Sequence, residues 1–170
     1  VDGRTGEPVF HEALLRMTGD DGRIVPAGHL IPVAETLGLV RLIDKAVAEM
    51  AVDVLARHPG ARLSLNMSGT TATDPRWYPE ILSLIAARPD LATRMIVEIT
   101  ETVALGDLSH TIRFGEKLRQ LGCHVAIDDF GAGYTSFRSL RALTVEYLKL
   151  DGTFCRNLAG HGENQYYVRS

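Results

Sequence analysis

Five polar residues that could share one chemical task stand in separate apolar runs. They are Glu12 in VFHEALLRM, Asn66 in RLSLNMS, Glu98 in RMIVEIT, Asp128 in CHVAIDD and Lys149 in VEYLKLD, with Asp129 directly behind Asp128. If the runs are parallel strands, their C-terminal ends share one rim, and the carboxylates, an amide oxygen and an ammonium converge there. Like charges at that spacing do not all ionise without a compensating cation. The donors are oxygens, with no His or Cys among them, which selects a hard divalent ion such as Mg²⁺ or Mn²⁺. A cluster this acidic could hold two ions, the arrangement that cleaves phosphodiesters in line. Taken singly, each residue is more often a turn cap or a surface charge. Repetition on five runs makes coincidence the weaker explanation.

The elements that must position these residues are legible as alternating patterns. Residues 62–68, 94–100, 123–129 and 145–151 are short, rich in branched and apolar residues and bounded by turn signals, which predicts strands. The run 9–17 fits strand or helix by pattern and is read as strand at its start, where TGEP precedes Val9 and Phe10. In LVRLIDKAVAEMAVDVLARH the residues Leu39, Ile43, Ala46, Val47, Met50 and Val54 recur at three- and four-residue steps, predicting one buried helix face. YPEILSLIAAR and LSHTIRFGEKLRQLG behave likewise, the latter stopping at Gly122, a residue suited to a left-handed cap. SFRSLRAL predicts a short helix, and ENQYYVRS the first turns of another, on which Tyr166 and Tyr167 pack. Strand and helix alternate, so the strands should be parallel and joined by right-handed crossovers. A doubly wound sheet and a (β/α) barrel both satisfy that order. A complete eight-strand barrel takes about 250 residues, and the pattern supplies about five strands. The 170 residues are therefore expected to be one piece of a larger domain, clipped before a first strand and within a helix.

Composition narrows the function classes. Hydrophobic residues make up 45% and charged residues 23%, an ordinary globular balance. The net charge of -3 offers no polybasic surface for a nucleic-acid polymer or an anionic membrane. Cys123 and Cys155 form neither a CxxC pair nor a disulfide framework, which fits a reducing, cytoplasmic compartment. No apolar run is long enough to span a bilayer, and the start does not read as a signal peptide. GAGYTS, residues 131–136, lacks the Gly-Lys-Ser/Thr ending of a phosphate loop, and the aspartates before it would repel a phosphate without a metal. DFG, residues 129–131, has neither the HRD loop nor the glycine-rich loop of a kinase. The six histidines, His161 among them, show no four-residue pairing and read as surface or structural residues.

EALLRM at 12–17, LIPVAETLGLVRLID at 30–44, LNMS at 65–68, EITET at 98–102, DDFGAGYTSF at 128–137 and YLKLD at 147–151 resemble, in order, the motif series of EAL domains. These are bacterial phosphodiesterases that linearise cyclic di-GMP to pGpG. The resemblance covers nearly the whole chain. It implies an α/β fold, a TIM-like (β/α)8 barrel of the EAL type. Residues 1–170 would form a single EAL domain lacking its first and last strands. It implies two Mg²⁺ or Mn²⁺ ions, with Glu12, Asn66, Glu98, Asp128 and Asp129 at metal-site positions. Lys149 matches the lysine that contacts and helps activate the nucleophilic water, next to Glu98. Arg16, with Leu15 beside it, matches the arginine that meets a substrate phosphate, a task suited to a planar fork of donors. Glu101 matches a glutamate that holds the loop after the aspartate pair, a loop linked to metal binding and homodimerisation. Sensor or GGDEF domains are the partners expected on the same polypeptide. Met17 stands where the family usually has Trp, and Ala132 where Thr is common. The family's later metal-binding glutamate and glutamine fall beyond position 170. A catalytically silent receptor for cyclic di-GMP is the rival function. Degenerate members lose the EAL glutamate, the asparagine or the aspartate pair, and this chain retains all of them.

Overall fold

The computed structural model describes residues 1–131 and 141–155. Within them the chain runs β1 (His11–Ala13), β2 (Arg16–Thr18), β3 (Ile24–Pro26), α1 (Ala27–Thr36), α2 (Val40–Arg57), β4 (Leu63–Asn66), α3 (Gly69–Thr73), α4 (Tyr78–Ala86) and α5 (Pro89–Ala92). It continues through β5 (Met95–Thr100), α6 (Glu101–Gly106), α7 (Leu108–Gln120), β6 (His124–Phe130), β7 (Tyr147–Leu150) and a last helical turn, Gly152–Cys155. The sequence readings for GAGYTS beyond Gly131, most of SFRSLRAL, His161, Tyr166 and Tyr167 lie outside the described residues.

Strands β1, β4, β5, β6 and β7 form one parallel sheet in that spatial order. Among the described residues the order follows the chain without reversal, so these strands have no topological switch point of the doubly wound kind. The sheet curls into a half-barrel with its helices outside. Period-two alternation divides its faces. Leu63, Leu65, Met95, Val97, Ile99, Val125 and Ile127 join Ala48, Val52 and Leu55 of α2, Ile81 and Ile85 of α4, and Phe114 and Leu118 of α7 in the main core. Tyr78 stacks on Phe114 at 5.3 Å between centroids, tying α4 to α7. The other face carries Ser64, Ile96, Glu98 and Ala126, all buried, and at its floor Tyr147, whose hydroxyl accepts from Arg62 at 3.0 Å.

Two sequence expectations change. The run 9–17 is not one strand: it breaks after Ala13, and Arg16–Thr18 turns away to pair antiparallel with Ile24–Pro26. Helix α2 is rotated relative to the face read from the sequence, burying Val40, Asp44, Ala48, Ala51, Val52 and Leu55, while Leu39 and Met50 are exposed. The reason is a buried carboxylate, Asp44, which a purely apolar criterion assigns to solvent. At α7 the expectation holds. Asp107 caps the helix by accepting from the His110 N–H at 3.2 Å. Gly122, at φ +93°, follows the last turn in the left-handed region, its N–H donating to the Arg119 carbonyl.

Candidate active site

Register places the polar residues in layers on the concave face. Glu12 pairs with Ser64, Asn66 with Glu98, and Thr100 with Asp128. Lys149 lies two residues past Tyr147, itself paired with Ala126, and so points to the same side. Its Nζ lies 2.5 Å from Glu98 Oε2, 3.0 Å from Asp128 Oδ2 and 3.2 Å from Glu12 Oε2. Asn66 Nδ2 donates to Glu12 Oε1 at 3.1 Å. Glu12, Glu98 and Asp128 each bring an oxygen within 4.8 Å of the other two. Four strands thus contribute to the acidic cluster and its lysine, and a fifth functional group, Asn66, adjoins it.

The electrostatics follow from this packing. The Glu98 side chain is fully buried. Desolvation raises its pKa, against the hydrogen bond from Lys149 that favours the charged form. Desolvation alone would lower the pKa of Lys149, but its bonds to Glu98 and Asp128 win and raise it. Lys149 in this arrangement is a charged donor, the opposite of what a general base requires.

The remaining candidates lie around this centre. Asp129 occupies the irregular step of β6, at φ +54°, with its N–H donating to Asp128 Oδ1 at 2.9 Å. Its pKa is raised by desolvation and then by the charges of Asp128 and Asp151. Glu101, the first residue of α6, is buried and accepts from the Gly131 N–H at 2.6 Å, directly after the aspartate pair. Gly131 is at φ +93°, and a Cβ there would overlap the Phe154 ring. Arg16 is on the exposed β2 edge of the hairpin, where it donates to the Leu15 carbonyl at 2.8 Å and makes no ion pair among the described residues. Leu15 is half-buried in the β1–β2 connection.

The donor set fits a divalent cation. Glu98 Oε1 is buried with no hydrogen-bond partner among the described residues. Lys149 Nζ shows that three of the carboxylates already enclose a positive charge. Every donor is a hard oxygen.

Sequence reasoning missed two sets of residues. Ser64 lies on the concave face beside Glu98; the alternation Leu63-Ser64-Leu65-Asn66 carried that signal. Asp44, Ser68 and Thr71 form a second polar cluster just past Asn66. Asp44 is 4% exposed, and its Oδ2 accepts from Ser68 Oγ at 2.5 Å, Thr71 Oγ1 at 2.6 Å and the Ser68 N–H at 3.3 Å. Its pKa is raised, because burial outweighs these bonds. The signal was Asp44 at four-residue steps between Val40 and Ala48.

A parallel half-barrel whose strand ends gather carboxylates on one rim defines a (β/α)-barrel domain with an acidic cluster at that rim. The family model described as "EAL domain" matches residues 1–170, and the chain belongs to that family. It is 34% identical to cyclic di-GMP phosphodiesterase PdeF of Escherichia coli over 174 residues, covering 100% of this chain and 23% of that protein. It is 33% identical to cyclic di-GMP phosphodiesterase PdeB of Shewanella oneidensis, covering 94% of this chain and 19% of that protein. The chain thus spans about a quarter or less of the length of these relatives. Among solved structures, the FimX EAL domain of Pseudomonas aeruginosa bound to c-di-GMP superposes with a TM-score of 0.84 at 29% identity, over 92% of this chain and 64% of that one.

Proposed function

We propose that this chain is the metal-binding part of a cyclic di-GMP phosphodiesterase that opens the cyclic dinucleotide to linear pGpG. The convergence of Glu12, Glu98 and Asp128 around Lys149, with Asn66 alongside, carries the reading. Glu12, Asn66, Glu98 and Asp128, with Asp129 adjoining, would hold one or two Mg²⁺ or Mn²⁺ ions. Such ions supply acidity to a nucleophilic water near neutral pH and charge to stabilise the transferring phosphate. Water adds its oxygen to phosphorus and gives up a proton, the P–O3′ bond breaks, and the 3′ oxygen takes a proton, leaving a 5′ phosphate on pGpG.

The chain's own residues divide the remaining work. Lys149, held protonated by its carboxylate neighbours, donates hydrogen bonds that orient the nucleophile. Glu98 anchors that lysine from the buried side. Arg16, with Leu15 beside it, is free of ion pairs among the described residues and available to a substrate phosphate. Glu101 fixes the backbone just beyond the aspartates through Gly131. We further read the chain as part of one barrel domain with a cytoplasmic setting, attached to sensor or GGDEF domains, and dimerising through the loop after Asp129. No helix among the described residues is long and apolar enough to cross a membrane.

The test is to incubate the full-length protein with cyclic di-GMP and Mg²⁺ or Mn²⁺ and follow pGpG by chromatography. Product that disappears with EDTA or with Glu12→Gln is the expected result. Binding of cyclic di-GMP without product would overturn hydrolysis and establish the receptor function instead.

A further inference from the structure

The cluster of Asp44, Ser68 and Thr71 stands outside the acidic site, yet it begins two residues after one of its members. Asn66 ends β4, and the chain leaves through Met67 and Ser68 into α3. On one side this exit is tied to the sheet, by the Met67 N–H donating to the Glu98 carbonyl at 2.9 Å. On the other it is tied to α2 by Asp44, whose single oxygen Oδ2 takes both the N–H and the hydroxyl of Ser68 and the hydroxyl of Thr71. Ser68 Oγ also accepts from the Thr71 N–H at 3.2 Å, which starts α3. No basic side chain forms an ion pair with Asp44 among the described residues, so hydrogen bonds alone answer a buried carboxylate. A position needed only for packing would do as well with an apolar side chain. Three donors on one oxygen instead specify a single backbone path past Asn66.

Resting on the metal-site reading above, we propose that Asp44 is a positioning residue for Asn66: by clamping Ser68 and Thr71 it fixes the end of β4, so that the Asn66 carboxamide stays turned toward Glu12 and the cation site. The clamp is remote from the reacting atoms and acts through backbone geometry. A cap that served stability alone would not change metal affinity once stability is matched, whereas a positioning clamp would.

The experiment is Mn²⁺ binding to the full-length protein, read by the electron paramagnetic resonance signal of free Mn²⁺, with no substrate and no turnover. Asp44→Asn and Ser68→Ala are expected to weaken binding about tenfold, while Ser68→Thr, which keeps the hydroxyl, stays within about twofold. Ala51→Gly supplies the control, because Ala51 is buried in the same helix away from the clamp and the change loosens the helix without touching Ser68. Unchanged affinity in Asp44→Asn and Ser68→Ala overturns the proposal, as does an equal loss in Ala51→Gly at matched melting temperature. Should Asp44→Asn fail to fold, the contrast between Ser68→Ala and Ser68→Thr decides. Absence of Mn²⁺ binding in the unaltered protein is a separate result: it removes the metal-site reading and the positioning role with it.

Discussion

Lys149 illustrates how much one residue's role depends on its neighbours. An isolated lysine at a strand end is a surface cation; here it sits among three carboxylates and substitutes for part of the charge a metal would bring. Lys149→Met should reduce pGpG formation by at least about a hundredfold with cyclic di-GMP binding retained, measured by product assay and calorimetry. The same variant leaves like charges uncompensated, so its melting temperature without metal should fall, and added Mg²⁺ should recover more of the loss than it adds to the unaltered protein. Asp44 offers a second test with a definite sign. Its folded-state pKa lies above the ordinary 3.8, so within that window the folded state binds more protons than the unfolded one. Its contribution to stability is therefore lost as pH rises from 3.8 through the raised value. Urea unfolding across that range should show the unaltered protein losing stability relative to Asp44→Asn as pH increases.

At the scale of elements, the ends of helices determine where the site's loops emerge. Helix α7 must stop and reverse into β6 so that Asp128 reaches the rim, and Gly122 makes the turn at φ +93°. Gly122→Ala places a Cβ 3.3 Å from Thr93 Cγ2 in a conformation that L residues disfavour. It should cost about 1–2 kcal/mol by denaturant titration. With the fold retained at assay temperature, the specific activity should be unchanged. Helix α2 shows the converse dependence. Its orientation follows from the Asp44 clamp as well as from apolar burial, so the helix that clads β4 also carries the contact that shapes the β4 exit.

For the whole molecule, one core couples the helices to the sheet. Phe114 is fully buried between α7, Tyr78 of α4 and the outer sheet face. Phe114→Ala should cost about 3–5 kcal/mol in unfolding free energy, the range for a large cavity beneath a sheet. Far-UV circular dichroism through a urea series would measure it. The concave face is divided as this architecture leads one to expect: a packed floor of Phe10, His124, Tyr147 and Arg62 at one end and the acidic cluster at the other. Phe10 and His124 both meet the Tyr147 ring edge-on, so that floor is a stability feature with no assigned catalytic task.

The sequence by itself determined which residues could do chemistry here and on which strands they ride. Residue type settles ligand hardness, and branched apolar runs with alternating helical stripes settle parallel strands joined by crossovers. Glu12, Asn66, Glu98, Asp128 and Lys149 were therefore legible before any geometry. Tertiary structure alone decided the rest, because each remaining feature depends on distance between segments far apart in the chain. The unreversed strand order chose a barrel over a doubly wound sheet. Packing set the Lys149 ammonium among three carboxylates, which hold it protonated and choose its partners. The break after Ala13 carried Arg16 onto a hairpin. Asp44, which looks like a solvent-facing helix residue in one dimension, became a buried clamp only when Ser68 and Thr71 arrived from β4's far end.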